Sequence, residues 1–221
     1  MDGEINVSQA VSFLTPDLVL RAYASGVFPM AESRANTRLY WVDPEWRAIF
    51  PMDGFHISRR LARSVRAEPF EIRVDTAFAE VIRACAETVA GRTESWINER
   101  IVGLYEKLFA AGHAHSVECW RNDRLVGGLY GLALGGAFFG ESMYSRERDA
   151  SKIALVQLYE RLRAGGFTLF DIQFITEHLR QFGAVEVPRA DYLQQLDAAL
   201  SVTANFYPDA GDAAQSITQT S

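Results

Sequence analysis

A chain of 221 residues with 48% hydrophobic and 23% charged side chains can fold around a sizeable core, which excludes wholesale disorder. No apolar run approaches the roughly 20 residues that a membrane span needs, and Asp2 and Glu4 with no basic stretch beside them do not make a secretion signal, so a cytoplasmic protein without a membrane partner is expected. The formal charge of −6 argues against indiscriminate nucleic-acid binding, and Cys85 and Cys119 alone make neither a disulfide framework nor a metal site.

Thr15 and Pro16 open, and Gly26 closes, a predicted helix over residues 16–25. Punctuation by Pro29, Pro44, Pro51 and Gly54 then leaves room only for short strands at 39–42 and 48–50. The window 56–66 holds Arg59, Arg60, Arg63 and Arg66 and no acid. As a helix it gathers Arg59, Arg63 and Arg66 on one face and Ile57, Leu61 and Val65 on another. Only Lys107 and Lys152 of the 22 basic residues are lysines, so the positive charge is carried by planar guanidinium groups suited to phosphate or carboxylate. Either a solvated helix face or a phosphate-binding stripe fits the pattern. A strand at 70–74, a helix at 76–88 capped by Asp75, and a helix at 98–111 with Ile101, Leu104, Tyr105 and Leu108 on one face follow.

The clearest β pattern comes next. His115, Val117 and Cys119 alternate with Ser116, Glu118 and Trp120, Asn122-Asp123 turns the chain into 125–134, and Gly135-Gly136 turns it into 137–139. A helix at 151–164 closed by Gly165-Gly166, a strand at 167–174, a short helix, a strand near Val185 and a helix at 190–200 complete the pattern. The small polar residues after Pro208 are expected to be disordered. The layout is α+β, a mostly antiparallel sheet flanked by helices, and its order resembles the N-acetyltransferase type. A small N-terminal domain over 1–55, a catalytic domain over 56–207 and a tail over 208–221 are expected.

Within the strand at 167–174, Asp171 and Gln173 share one face and Phe170, Ile172 and Phe174 the other, because side chains alternate with period two. A carboxylate on an element built for burial needs partners. Asp171 either orients Gln173, whose side-chain oxygen then receives an incoming amine, or belongs to a structural network. Glu141 follows Phe138-Phe139-Gly140 and is placed to bind a cation or to pair with an arginine of the chain. Leu129, Phe138, Met143, Leu155 and Phe170 are candidates for an apolar pocket as well as for plain core. His113 and His115 lack a third ligand at metal spacing, no serine sits in a nucleophile motif, and the glycines from 127 to 140 contain no phosphate-binding loop, so no metal, cofactor or covalent intermediate is expected.

Eight blocks then combine in one order: Ala22-Tyr23-Ala24-Ser25-Gly26-Val27-Phe28-Pro29, His56-Ile57-Ser58-Arg59, Ser95-Trp96-Ile97-Asn98, Gly112-His113-Ala114-His115-Ser116-Val117-Glu118, Leu125-Val126-Gly127-Gly128-Leu129-Tyr130-Gly131, Gly140-Glu141-Ser142-Met143-Tyr144-Ser145, Ala150-Ser151-Lys152 and Asp171-Ile172-Gln173. In order and spacing this combination resembles the leucyl/phenylalanyl-tRNA protein transferases over about residues 16–200. It departs from the family's longer members in a shorter N-terminal segment, in Met30 where many have Trp, and in Thr176 where some have Asn. The short segment is expected to be a natural short form.

The resemblance implies an enzyme that moves leucine or phenylalanine, and methionine less readily, from aminoacyl-tRNA to the α-amino group of proteins beginning with Arg or Lys, marking them for degradation. It implies leucyl-tRNA and phenylalanyl-tRNA as donors, a monomer, and no cofactor, because the ester already stores the driving force. By resemblance Asp171 and Gln173 hold and help deprotonate the amine, Glu141 meets the cationic acceptor, and Leu129, Phe138, Met143, Leu155, Leu158 and Phe170 form the aminoacyl pocket. Tyr23, Trp96 and Tyr105 match aromatics near the 3′-adenosine of tRNA, where stacking is worth about 1–3 kcal/mol per base. Arg59, Arg60, Arg63 and Arg66 then become the expected contacts to the tRNA backbone. A coenzyme A-dependent N-acyltransferase and a non-catalytic RNA- or peptide-binding module are the alternatives. The segment Ser145-Arg146-Glu147-Arg148-Asp149-Ala150-Ser151 has no glycine and two acids where such acyltransferases cradle a pyrophosphate.

Overall fold

In the computed structural model, residues 5–8, 14–36, 38–87 and 95–208 are described, so the expected tail lies almost wholly outside the described residues. Thr15 accepts the Leu18 N–H at 3.3 Å and opens α1 (Pro16–Ala24). Gly26, at φ +81°, ends the turn beyond it, and a Cβ there would lie 2.7 Å from the Leu193 side chain. Two strands that the sequence pattern does not announce, β1 (Ile5–Ser8) and β2 (Phe28–Met30), flank β3 (Tyr40–Pro44) in a small antiparallel sheet of order β1-β3-β2.

The main sheet begins at β4 (Trp46–Phe50), which the expected boundary at residue 55 assigns to the N-terminal unit. It continues with β5 (Glu71–Val74), β6 (Ala114–Arg121), β7 (Arg124–Leu134), β8 (Ala137–Ser145), β9 (Leu169–Gln173) and β10 (Val185–Pro188), in the order β10-β4-β9-β8-β7-β6-β5. Every pair is antiparallel except β8 with β9. The β6-β7 turn places Asn122 at φ +51° and Asp123 at φ +56°, the left-handed pair that a tight hairpin requires.

Helices cover both faces of the sheet and bury apolar side chains against it. Against one face pack α1, α3 (Phe78–Ala86), α4 (Glu99–Ala110) and α7 (Arg189–Leu200), with Tyr23, Phe78, Ile101, Tyr105 and Tyr192 in their core. Against the other pack α2 (Arg59–Arg66) and α5 (Ala150–Ala164), where Leu61 and Val65 meet Leu155, Leu158 and Tyr159. The short α6 (Glu177–Arg180) starts at Thr176, whose hydroxyl accepts the Leu179 N–H at 3.2 Å. Among the described residues no helix is long and apolar enough to cross a membrane.

Two local expectations are corrected. Asp75 does not cap α3. It sits at φ +58°, and its carboxylate accepts the Ser116 N–H at 2.5 Å and faces His115 Nδ1 at 2.7 Å. Glu118 serves the α3 end instead, accepting the Ala77 N–H at 2.8 Å and bonding the Thr76 hydroxyl. Phe174 does not share a face with Phe170 and Ile172. Gln173 at φ +58° breaks the alternation, so Phe174 packs beside Phe28, with ring centroids 5.7 Å apart, in the opposite core.

Candidate active site

The parallel strands β8 and β9 pair only at Ala137 with Leu169, Phe138 with Phe170, and Phe139 with Asp171. Beyond that point β8 supplies Gly140, Glu141, Ser142 and Met143, and β9 supplies Phe170 and Ile172, to one wall each of a cavity of about 240 Å³. Separation of two neighbouring strands at the middle of the sheet opens this space, which Leu155 and Leu158 of α5, Leu129 of β7, and Thr176, His178 and Leu179 around α6 close. The lining is mostly apolar, and the volume lies below the roughly 300–1,000 Å³ of sites for drug-sized ligands, so it suits one side chain better than a large cofactor.

Five of the six expected pocket residues therefore line one cavity: Leu129, Met143, Leu155, Leu158 and Phe170. Phe138 does not. It is fully buried behind Phe170, with ring centroids 5.8 Å apart, and packs on Phe167 and Phe206 on its other side. Tyr130, Ile172, Thr176, His178 and Leu179 also line the space, and only the alternation of β9 with Phe170 hints at Ile172. Burial, with Lys152 nearby, holds the His178 pKa below its usual value.

Glu141 stands at the edge of this cavity, half-buried. Its Oε1 accepts a 2.7 Å hydrogen bond from the Tyr23 hydroxyl, which in turn lies 2.6 Å from the Tyr105 hydroxyl. Among the described residues no arginine is paired with it, in contrast to one of the two readings of the sequence. Burial pushes its pKa up to about 7, although the two phenols pull the other way. Burial and the neighbouring carboxylate keep the Tyr23 and Tyr105 hydroxyls protonated well beyond their usual range.

The placement of Tyr23 and Tyr105 corrects the stacking expectation. Both are 0% exposed, with their rings packed against Phe139 and Tyr130 respectively, so neither presents a face to an adenine. Their link to the site is through their hydroxyls. Trp96 is only half-buried, on the approach to α4.

Asp171 and Gln173 are both buried, and they are connected through the backbone: the Gln173 N–H donates to Asp171 Oδ1 at 2.8 Å. The Gln173 side-chain amide reaches to 3.5 Å from Glu141 Oε1, so this one residue joins the two carboxylates. The partner that the sequence reading missed is Arg47. It is 1% exposed and forks onto Asp171 through Nε at 3.0 Å and Nη2 at 2.7 Å, while the Tyr192 hydroxyl donates to Asp171 Oδ2 at 2.6 Å. Burial alone pulls the Arg47 pKa down, and the Asp171 carboxylate, with smaller help from Tyr192 and Tyr23, more than reverses this. A usable signal exists: Arg47 is the one charge in the apolar strand Trp46-Arg47-Ala48-Ile49-Phe50, as Asp171 is in its own strand.

Arg59, Arg60, Arg63 and Arg66 are all exposed on α2, whose Leu61 and Val65 hold it to the protein. Among the described residues, Arg60 alone of the four has an ion-pair partner, Asp149 at 3.7 Å. Asp149 itself occupies the N-terminal end of α5 at φ +63°, where an anion would otherwise be favoured.

Comparison with known proteins agrees with this layout. The family profile described as leucyl/phenylalanyl-tRNA protein transferase matches residues 49–197, and that described as its N-terminal domain matches residues 14–45. The curated leucyl/phenylalanyl-tRNA–protein transferase of Paramagnetospirillum magneticum is 62% identical over 87% of this chain and 92% of its own length. Those of Phenylobacterium zucineum and Rhodopseudomonas palustris are 60% and 58% identical, over 86% and 89% of this chain and 86% of each relative. With matches of that extent at both ends of the described core, the chain belongs to the leucyl/phenylalanyl-tRNA protein transferase family and is an aminoacyl-tRNA transferase.

Proposed function

We propose that this chain transfers leucine or phenylalanine, and methionine less readily, from aminoacyl-tRNA to the α-amino group of proteins that begin with Arg or Lys, in the cytoplasm and as a monomer, marking them for degradation. The observation that carries the reading is the apolar cavity with a single titratable carboxylate, Glu141, at its edge and the amide of Gln173 beside it. The unbranched-at-Cβ side chain of the donor fills the cavity, which puts the ester carbonyl near Gln173. β-Branched isoleucine and valine are then rejected sterically. The acceptor presents its cationic first side chain to Glu141 and its α-amino group to the Gln173 side-chain oxygen.

The reaction is aminolysis. The neutral amine attacks the ester carbonyl carbon, a C–N bond forms, the C–O bond to the terminal ribose breaks, and the proton lost by nitrogen balances the departing alkoxide. Because the ester stores the driving force, the protein contributes mainly orientation. Two requirements set the pH dependence. Glu141 must be anionic, which happens above about 7, and the amine must be neutral, with an unperturbed pKa of about 7.7–8.0. On this reading Trp96 borders the terminal adenosine, and the exposed arginines of α2 meet the RNA backbone.

The test is transfer of labelled leucine from charged tRNA to two peptides that differ only in a first residue of Arg or Ala, with leucyl-coenzyme A as a second donor. Label on the Arg peptide alone, lost when the tRNA is digested first, is the expected result. Transfer from the coenzyme A thioester, or equal labelling of both peptides, would contradict it.

A further inference from the structure

Arg47 lies in the core of the molecule with each of its three nitrogens engaged. Nε and Nη2 face Asp171, and Nη1 donates to the Gly26 carbonyl at 2.9 Å. The rings of Phe28 and Tyr192 lie against its guanidinium at 4.5 and 4.6 Å. Five separate segments thus meet at one cation: the turn after α1, β2, β4, β9 and α7. Asp171 is equally occupied. Its Oδ1 accepts from Arg47 Nε and from the Gln173 N–H, and its Oδ2 from Arg47 and from Tyr192.

With both oxygens of Asp171 engaged by the guanidinium, the phenol and the Gln173 N–H, this carboxylate has no acceptor position left for an incoming amine. Neutralising it would strand the Arg47 charge away from water. What the network does hold is the backbone of Gln173, which at φ +58° occupies the left-handed region that residues other than glycine adopt when their surroundings impose it.

We infer that Arg47, with Tyr192 beside it, is a positioning residue of the transfer reaction: through Asp171 it fixes the backbone that aims Gln173, and Asp171 itself does not receive the amine. The inference rests on the aminoacyl-transfer reading above and deepens it. It separates holding Gln173 from receiving the amine, two tasks that the sequence pattern assigns jointly to Asp171 and Gln173.

The test compares Asp171→Asn, Arg47→Gln and the double variant for leucine transfer from charged tRNA to the Arg peptide. Each single substitution should lower kcat by about 100-fold, as expected when a reacting group is displaced by about 1 Å, and leave the KM for charged tRNA within about twofold. The double variant replaces the ion pair with two amides that can still hold the Gln173 N–H, so it should recover at least about tenfold over Asp171→Asn. A double variant as slow as Asp171→Asn would show that a carboxylate receiving the amine is required and would overturn the inference. Tyr192→Phe gives an independent reading that does not depend on the folding of the Arg47 variants: kcat should fall by about 3- to 10-fold with KM unchanged. A parent-like kcat in that variant, or a change in KM alone, would equally overturn it. The parent enzyme keeps the two claims apart, because an inactive parent refutes aminoacyl transfer, whereas an active parent with parent-like variants refutes only the positioning role.

Discussion

Asp171 and Glu141 sit in one site and are bridged by the same residue, Gln173, yet their surroundings have little in common. Asp171 is matched by an arginine fork, a phenol and a backbone N–H, so its charge is compensated and its lone pairs are spoken for. Glu141 is met by neutral hydroxyls and an apolar cavity, so its charge is only partly compensated and its pKa rises to about 7. The difference teaches that two carboxylates of one site take different tasks from their partners alone. One fixes the backbone, and the other is free to answer to a cation that arrives from outside.

The largest break in that contrast should come from Arg47→Met, which leaves Asp171 buried without its counter-charge. Urea unfolding should show a loss of about 3–5 kcal/mol. Glu141→Gln should do the opposite, with stability near that of the parent and function impaired: kcat/KM for an Arg-initiated peptide should fall by about 2–3 kcal/mol in transition-state terms, while an Ala-initiated peptide changes little. A third measurement sharpens the comparison through linkage. Burial raises the Glu141 pKa in the folded state to about 7 from its ordinary value of 4.5, so the folded state binds the extra proton and the parent should lose stability as pH rises from about 4.5 to about 7. Glu141→Gln should lack that slope, and the two proteins should differ in their pH dependence by about 1–2 kcal/mol in urea titrations at pH 5 and pH 8. The smallest effect belongs outside both neighbourhoods. Arg59→Ala with Arg63→Ala should leave kcat intact and reduce the slope of log KM for charged tRNA against log salt by about 1–2.

The sequence makes some of this contrast visible and conceals the rest for identifiable reasons. The hairpins of β6, β7 and β8 are legible because Asn122-Asp123 and Gly135-Gly136 mark their turns, residues 115–120 alternate, and 125–134 form an apolar run of strand length. β2 is not, since three residues around Pro29 carry no period. The pocket is largely legible, because Leu155 and Leu158 recur on one helix and Phe170 points to that same face. Arg47 is hidden as a partner because it stands 124 residues from Asp171, and no local pattern pairs positions so far apart. The faces of Phe174 and Gln173 are hidden by a single left-handed residue, which period-two reasoning cannot anticipate. Asp75 misleads for a related reason. It has the chemistry of a helix cap, but Ser116 and His115 from a distant strand claim its oxygens first.

The division of labour between the two carboxylates is tested most directly by the pH profile of kcat/KM for leucine transfer to Arg- and Ala-initiated peptides, measured for the parent and for Glu141→Gln. The account predicts that the parent's preference for the Arg peptide grows as pH rises through about 7, and that Glu141→Gln abolishes both the preference and its growth while the limb at the amine's own pKa remains. An undiminished preference in Glu141→Gln would contradict it, and would mean that the cationic acceptor is read elsewhere in the molecule.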